Sequence, residues 1–224
     1  MKNDSERFLE DDSFGGNETG GQKSEIIKIS ANLSAVKRFF DAVFSVIFIV
    51  ILSPIYLIVS LCILITDKRP VFFRQIRVGK NSVPFTCYKF RSMRVDVPGY
   101  VEKHKLENAG DAITKFGSYI RRTSIDELPQ LFNILKGDMS FVGPRPLIEN
   151  HEAIHEGRRK YGIDQLRPGL TGYAQVMGRD SISDEEKVIF DKYYLENCSL
   201  LFDLKIIART VGVVFMKKGY KEGK

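Results

Sequence analysis

The sequence predicts a mainly helical α+β protein that is built around one apolar membrane segment, and three patterns support this fold class. An uncharged run of apolar residues occupies positions 42–65. Two β-prone runs, VFFRQIRV and VPFTCYKF, follow it, and the turn-forming residues 79–82 separate them. Apolar residues then recur at helical spacing, first around Phe116 and later from Leu200 onward. We therefore expect one hairpin among several helices.

The apolar run is long enough to enter a membrane. As a straight helix it would extend ~36 Å, against a hydrocarbon core of roughly 30 Å. Pro54 lies at its midpoint, directly after Ser53, where it removes the backbone hydrogen bond to Val50. Basic residues flank both ends of the run: Lys37 and Arg38 before it, and Lys68, Arg69, Arg74, Arg77 and Lys80 after it.

The two basic flanks leave two topologies open. Positively charged residues favour the cytoplasmic side of a membrane, and here both ends of the run qualify. A helix that breaks at Ser53 and Pro54, enters the membrane and returns keeps both flanks on one side. A proline-kinked helix that crosses once is the alternative, because proline is tolerated in membrane helices. The residues alone favour neither topology.

Charge and cysteine content narrow the range of partners. Residues 1–34 hold seven acidic and four basic side chains, so they carry −3 of a total of +6 and the remainder carries +9. This acidic, glycine-bearing segment predicts a disordered tail. The basic remainder favours anionic lipids or phosphorylated substrates. We expect no nucleic acid, because no recognisable reading module accompanies the charge. Three cysteines without a pairing motif indicate a reducing cytoplasm.

The segments after the hairpin predict helices that end in chemically useful residues. A polar loop over 95–112 precedes a short helix, which ends near Arg121 and Arg122. In SIDELPQLFNILKGD we expect a turn over 124–128 and a helix that begins at Pro129 and ends before Gly137. The C-terminal LLFDLKIIARTVGVVFMKKGYK predicts a basic amphipathic helix, which either packs on the core or lies on a membrane.

The adjacent carboxylates Asp126 and Glu127 are the strongest candidates for chemistry. Such a pair at the start of a helix is often only a cap for the helix dipole. Here it is accompanied by arginines, two of which precede proline and therefore lie on stiff backbone: Arg121, Arg122, Arg145 and Arg167. A carboxylate that attacks a phosphate needs cations or a metal to neutralise the phosphoryl oxygens. One carboxylate could attack while the other holds metal.

Two further basic residues lie at the end of the second predicted strand. Lys89 and Arg91, in KFRSM, are candidates for binding an anionic substrate. The alternative is a solvated strand edge, where lysine and arginine are common.

Several strings together resemble one family. They are KRFFDAVF with the later SP, PVFFRQIRVGK, YKFRSM, RRTSIDELPQLFNILKGDMSFVGPRP, RPGLTGYAQVMGR and FDLKIIARTV. In this order, from about residue 36 to 216, they resemble the bacterial sugar transferases, the monotopic polyprenol-phosphate phosphoglycosyl transferases, in their minimal catalytic-core form.

The resemblance implies a particular architecture. A re-entrant membrane helix broken at Ser53 and Pro54, a small β-hairpin and interfacial amphipathic helices would surround one catalytic domain. The expected division is a disordered acidic tail over 1–34, the re-entrant region over 35–69, and a cytoplasmic catalytic domain over 70–224. The protein would then lie at the inner membrane in contact with membrane lipids, with its catalytic domain facing the cytoplasm. A homo-oligomer is compatible with the resemblance.

The resemblance also implies a two-step reaction. Asp126 would attack the β-phosphate of a UDP-sugar and release UMP, and undecaprenyl phosphate would then take the sugar phosphate from the enzyme. This is the first membrane step of surface glycan biosynthesis. Glu127, together with Asp126, would hold Mg²⁺. The basic residues expected to bind substrate are Arg121, Arg145, Lys89, Arg91 and Arg167.

The chain departs from the family pattern at two kinds of position. It has no tryptophan, so interfacial anchoring would fall to Tyr173, Tyr193 and Tyr194. Met177 stands where the family often has asparagine, which leaves the sugar undetermined. Two rival functions remain open: a non-catalytic membrane scaffold, in which the acidic pair is only a cap, and a metal-dependent phosphohydrolase.

Overall fold

The computed structural model describes residues 20–66, 70–94, 112–178 and 181–216. Within these ranges, side chains are described from residue 34 to residue 212. The described helices are α1 (Gly20–Ile51), α2 (Ser53–Thr66), α3 (Lys115–Arg122), α4 (Gln130–Lys136), α5 (Glu152–Lys160), α6 (Tyr173–Met177), α7 (Asp184–Asn197) and α8 (Leu200–Met216). The strands are β1 (Phe72–Val78), β2 (Pro84–Phe90), β3 (Ser140–Val142) and β4 (Gly169–Thr171). A mainly helical α+β fold is thus confirmed.

The chain divides into two units, Met1–Lys37 and Arg38–Lys224. In the first unit, α1 begins at Gly20, so residues 20–34 are helical where the sequence predicted a disordered tail. Residues 22–53 contain neither glycine nor proline, and a helix that has already nucleated extends readily through such a segment. Residues 1–19 and the predicted loop residues 95–111 lie outside the described ranges, as do Lys68 and Arg69.

The apolar run forms two helices that meet at Ser53 and Pro54. Pro54 cannot donate to the Val50 carbonyl, so α1 ends at Ile51 and α2 restarts with proline in its first turn. In the described ranges no single helix is long and apolar enough to cross a membrane. The pair Ser34–Ile51 and Ser53–Thr66 meets those requirements of length and composition together, with a bend of 60°.

Two polar residues of α1 face the protein, as do Val59 and Ile63 of α2, whereas most other apolar side chains of the pair are exposed. Asp41 and Ser45 of α1 are buried, and the Asp41 carboxylate accepts a hydrogen bond from the Phe141 amide at 3.2 Å. The apolar side chains are largely exposed, with Val50 at 66% and Ile65 at 81%. An exposed apolar surface of this extent is unfavourable in water and typical of contact with lipid.

The predicted hairpin is confirmed. Strands β1 and β2 are antiparallel, with Phe73 opposite Lys89 and Arg77 opposite Phe85. The connection is a short 3-10 helix, Lys80–Ser82, in which Asn81 has a positive φ of 56°. Because directly opposite residues share a face of a hairpin, Arg77 and Lys89 project from the same face.

Helix α4 is bound to the free edge of β2 by one side chain. Asn133 is fully buried; its amide oxygen accepts from the Tyr88 amide at 3.0 Å, and its amide nitrogen donates to the Thr86 carbonyl at 2.7 Å. The side chain thus replaces the missing neighbouring strand. This contact fixes the position of α4, and of the turn before it, relative to the hairpin.

The two proline-containing loops are joined by a short parallel sheet. Ser140 pairs with Gly169 and Val142 with Thr171, so the loops after β3 and before β4 lie side by side. The backbones approach so closely that a Cβ atom on Gly169 would lie 2.2 Å from the Gly143 nitrogen. Only glycine fits here.

The C-terminal helices form one core cluster and leave one apolar face outside. In the cluster, Tyr173, Phe190 and Tyr194 pack with Ile206 of α8. On the opposite side of α8, apolar residues are exposed: Leu201, Leu204 and Val211. The predicted amphipathic helix therefore packs on the core with one face. Contact of its exposed apolar face with a membrane stays a prediction.

Candidate active site

The candidate acidic pair lies in a tight turn between α3 and α4. The chain enters this turn at Ser124, which has a left-handed φ of 56°, and continues as a 3-10 helix over Ile125–Glu127. The Ser124 side chain makes no capping bond, and the predicted turn is confirmed. Helix α4 follows Pro129 and ends at Gly137, which is left-handed with φ of 94°, as predicted.

Asp126 is a buried carboxylate with several cations close enough to affect it. Its side chain is 7% exposed. Burial, together with the charge of Glu127, raises the pKa of Asp126 to about 6, and the charges of Lys89, Arg121 and Arg145 act in the opposite direction. The effect of burial exceeds that of the cations. Asp126 is therefore ionised at neutral pH but poorly solvated, which is a favourable state for a nucleophile.

Glu127 forms an ion pair with Lys89 of β2. The Lys89 ammonium lies 2.6 Å from the Glu127 carboxylate, and both side chains are about a fifth exposed. The hairpin thus delivers a cation to the acidic pair. Because Lys89 also acts on Asp126, the two carboxylates and this lysine form one electrostatic group.

Arg121 and Arg145 complete this group from two other elements. Arg121 is in the last turn of α3, and its Nη1 atom is buried without a hydrogen-bond partner among the described residues. Arg145 is exposed and lies in the loop after β3. A guanidinium nitrogen that has no protein acceptor is suited to a phosphate oxygen. The structure therefore brings Lys89, Arg121 and Arg145 to the acidic pair, as expected from the sequence.

The loop that carries Arg145 is held from behind by a buried ion pair. Arg158 of α5 donates to the Arg145 carbonyl at 2.9 Å and binds the Asp191 carboxylate of α7 through two nitrogens, at 2.7 and 3.0 Å. Asp191 is almost completely buried. This pair, which the sequence analysis did not single out, fixes the backbone from which Arg145 extends.

Arg77 is a further cation at the site, and the sequence analysis assigned it only to the basic flank. Burial and the charge of Arg145 lower the pKa of Arg77, and the charge of Glu127 opposes this effect. Its Nη1 atom donates to the Pro146 carbonyl at 3.2 Å. Side chains alternate between the two faces of a strand, so the predicted hairpin could have shown that Arg77 shares a face with Lys89.

The two remaining predicted substrate-binding arginines, Arg167 and Arg91, are described by other contacts. Arg167 donates from Nε to the Gly137 carbonyl at 2.9 Å, which places its guanidinium at the far end of α4. Arg38, assigned to the basic flank, also caps that helix end by donating to the carbonyls of Ile134 and Leu135. Arg91 is buried and lines a groove of ≈ 460 Å³ with residues 70–74.

The acidic pair suits Mg²⁺ in one particular way. Among the described residues, no three histidine, cysteine or acidic side chains are grouped as a metal site. Mg²⁺ is commonly bound by one or two carboxylates, with substrate phosphates and water as the remaining ligands. Asp126 and Glu127 provide such a partial set, so the residues present fit an ion that arrives with a phosphorylated substrate.

A desolvated carboxylate among cations, next to an exposed apolar helix pair, has the features of a membrane-associated enzyme that acts on phosphate groups. The family model of bacterial sugar transferases matches residues 32–217. The chain therefore belongs to the bacterial sugar transferase family, and the predicted enzyme class, a sugar-phosphate transferase, is confirmed.

Individual relatives agree with this assignment. The uncharacterized sugar transferase EpsL of Bacillus subtilis (strain 168) is 40% identical over 187 residues, which cover 84% of this chain and 91% of that protein. The exopolysaccharide production protein ExoY of Rhizobium meliloti (strain 1021) is 35% identical over 198 residues, or 82% and 87% of the two chains. The UDP-glucose:undecaprenyl-phosphate glucose-1-phosphate transferase of Escherichia coli (strain K12) is 36% identical over 194 residues, which cover 82% of this chain and 41% of that longer protein.

Proposed function

We propose that the protein transfers a sugar 1-phosphate from a UDP-sugar to undecaprenyl phosphate through a covalent intermediate on Asp126. The observation that carries this proposal is the buried carboxylate, with a raised pKa, among Lys89, Arg121 and Arg145. The activity for which the Escherichia coli relative is named, transfer of glucose 1-phosphate from UDP-glucose to undecaprenyl phosphate, supports it.

The proposed reaction has two displacements at the same phosphorus atom. A carboxylate oxygen of Asp126 forms a bond to the β-phosphorus of the UDP-sugar, and the bond from that phosphorus to the bridging oxygen breaks. UMP leaves with the electron pair. An oxygen of undecaprenyl phosphate then attacks the same phosphorus, and the bond to Asp126 breaks to give a polyprenyl diphospho-sugar and the free carboxylate.

The cations of the site reduce the repulsion between Asp126 and the substrate. Lys89, Arg121 and Arg145 approach from three different elements, so they can contact different phosphoryl oxygens. Glu127 and Asp126 would hold Mg²⁺, which would supply further neutralisation of phosphate charge. Glu127 also keeps Lys89 in place through their 2.6 Å ion pair.

We infer that the bent helix pair enters one leaflet and returns, with the site at the cytoplasmic surface of the membrane. Three features support a re-entrant insertion: the 60° bend at Pro54, the outward apolar surface, and the burial of Asp41 and Ser45 toward the protein. This insertion would bring the soluble nucleotide sugar and the lipid acceptor to one interface. It also agrees with the membrane lipids expected as partners.

The test is a UMP-release assay on the full chain in lipid, with a panel of UDP-sugars. Asp126→Asn should reduce UMP release to background and abolish the labelled covalent adduct that the wild type forms with one donor. The control Asp184→Asn, at an exposed position of α7, should retain wild-type activity. Normal turnover by Asp126→Asn would contradict the proposal.

Product analysis separates this proposal from its rivals. The proposed transferase forms a lipid-linked product only when polyprenyl phosphate is added. Free sugar phosphate in the absence of that acceptor would indicate a phosphohydrolase. A protein whose biological output survives loss of both Asp126 and Glu127 would be a scaffold.

A further inference from the structure

One hydrogen bond connects the bent helix pair directly to the turn that carries Asp126. The hydroxyl of Tyr56, two residues after Pro54, donates to the Leu128 carbonyl at 2.5 Å. The Tyr56 ring packs against Phe90 of β2 and Phe132 of α4, at centroid distances of 5.5 and 5.8 Å. The adjacent side chains of α2, Ile55 and Leu57, are exposed, whereas the Tyr56 ring faces the protein.

The Leu128 carbonyl, which accepts this bond, lies where the catalytic turn joins α4. Leu128 lies two residues after Asp126, and its carbonyl also accepts the first hydrogen bond of α4, from the Leu131 amide at 2.9 Å. The turn itself contains only two backbone hydrogen bonds, from Glu127 to Ser124 and from Leu128 to Ile125.

The entrance to the turn is joined to α3 by the backbone, because the Ser124 amide donates to the Arg121 carbonyl at 3.1 Å. Ser124 is held in the left-handed region, which is uncommon for a residue other than glycine, and it makes no capping bond. The bond from Tyr56 acts at the other end of the turn, where Leu128 leads into α4.

We propose that Tyr56 is a positioning residue, which ties the bend of the helix pair to the catalytic turn and so fixes Asp126 among its cations. This inference rests on the proposed function for its effect on rate, but its effect on the turn is independent of the reaction. The backbone carries the link across the bend, because the Tyr56 amide donates to the Leu52 carbonyl at 3.0 Å and the Leu52 amide to the Phe48 carbonyl at 2.8 Å. The geometry of the bend thus determines where the Tyr56 hydroxyl lies.

The experiment compares the wild type, Tyr56→Phe and the control Tyr161→Phe, each as the full chain in lipid nanodiscs. Tyr56→Phe keeps the ring between Phe90 and Phe132 and removes only the donor. Tyr161 is exposed in the loop after α5 and serves as a matched loss of a hydroxyl. We expect amide hydrogen exchange of Glu127 and Leu128 to rise by about threefold to tenfold in Tyr56→Phe alone, the range for loss of one hydrogen bond.

The same variants should differ in rate but not in donor affinity or stability. For Tyr56→Phe we expect kcat for UMP release to fall about fivefold, with KM for the UDP-sugar within twofold of the wild type. The thermal midpoint should stay within ~2 °C, because the ring contacts remain.

Three outcomes would decide against the proposal. Exchange at Glu127 and Leu128 that matches the wild type would overturn it. So would faster exchange throughout α2 and α4 with a lowered thermal midpoint, which would indicate a general structural role. Unchanged kcat in an active Tyr56→Phe protein would overturn the link to catalysis. If the wild type releases no UMP, the proposed function fails, and the exchange rates alone decide whether Tyr56 positions the turn.

Discussion

Asp126 combines two environments that have opposite effects on a carboxylate. Burial disfavours its ionised form, whereas the cations Lys89, Arg121 and Arg145 favour that form, and burial has the larger effect. The result is a carboxylate that is charged at neutral pH but poorly solvated, and therefore reactive as a nucleophile. A phosphorus atom that carries its own anionic oxygens can accept that charge only while the cations hold those oxygens.

The raised pKa of Asp126 predicts the acid limb of the activity profile. A protonated carboxyl group cannot attack. The rate of UMP release should therefore be near its maximum above pH ~7 and fall as the pH decreases through about 6. One unit below the pKa, the rate should be about tenfold lower. Single-turnover UMP release between pH 5 and 8 measures this, with folding checked at each pH. A flat profile down to pH 5 would contradict the role of Asp126 as the nucleophile.

The same pKa predicts that Asp126 lowers the stability of the fold at neutral pH. Its pKa is about 6 in the folded chain, above its ordinary value, so the folded state binds the proton more tightly than the unfolded state does. Ionisation therefore destabilises the fold as the pH rises from ~4 to ~6, by on the order of 2–3 kcal/mol. Asp126→Asn should raise the thermal midpoint more at pH 8 than at pH 4.5. An equal change at both values would show that Asp126 is not desolvated.

At the scale of elements, the site depends on contacts between segments that are far apart in the sequence. The hairpin supplies Lys89 and Arg77, α3 supplies Arg121, and the loop after β3 supplies Arg145. Each element is held by polar contacts to its neighbours, such as Asn133 on the edge of β2 and Arg158 behind Arg145. Loss of one such contact should affect both the stability of the fold and the arrangement of the cations.

Two aspartates of α7 allow a direct comparison of a buried and an exposed ion pair. Asp191→Asn leaves the charge of Arg158 buried and poorly compensated, which should cost about 3–5 kcal/mol of folding free energy and weaken donor binding through Arg145. Asp184→Asn removes an exposed pair with Lys187 and should cost less than ~0.5 kcal/mol. Denaturant unfolding of both variants measures the difference. Similar losses in the two would argue against a supporting role for the buried pair.

Features that depend on neighbouring residues were predicted from the sequence, whereas contacts between distant residues were not. The hairpin turn and the limits of α4, with Pro129 at its N-cap and Gly137 at its C-cap, depend on local residues and were predicted to within one residue. Tyr56, Asn133 and the pair of Arg158 with Asp191 were missed, because each acts through a partner 33 or more positions away.

The contacts of basic residues were the hardest to predict from the sequence. A sequence cannot show whether an arginine meets a phosphate or a helix carbonyl, since both accept the same hydrogen bonds. Arg167 and Arg38 bind the carbonyls at the end of α4, whereas Arg77, counted only with the membrane flank, lies near Glu127. Arg121 and Arg145 were linked to the acidic pair from the residues themselves, and Lys89 was named as a candidate for binding an anion. The family resemblance then assigned all three to one substrate site.

At the scale of the whole molecule, the proposed re-entrant insertion places both flanks of the bend at Pro54 on one side of the membrane. A re-entrant pair predicts that position 35, before α1 enters the membrane, and position 82, in the hairpin turn, are both cytoplasmic. In a chain without Cys62, Cys87 and Cys198, the variants Ala35→Cys and Ser82→Cys should react only with a membrane-permeant reagent in intact cells.

The matched control for this topology is Ser53→Cys at the bend. It should be protected from a soluble maleimide in sealed vesicles of either orientation, since the bend would lie within the lipid. Labelling of position 35 and position 82 from opposite sides would show that the pair crosses the membrane once, and would contradict the re-entrant insertion.

The parallel pairing of β3 with β4 has a consequence for the order in which the protein is made. The helix pair and the acidic turn leave the ribosome early, but β3 has no partner until Gly169 and Thr171 have been synthesised. Asp191, which completes the support of the Arg145 loop, emerges later still. Because non-local contacts form only when both segments are available, we expect a nascent chain to reach the lipid surface before the Arg145 loop is fixed in position. An unfinished chain could then occupy the membrane without consuming nucleotide sugar.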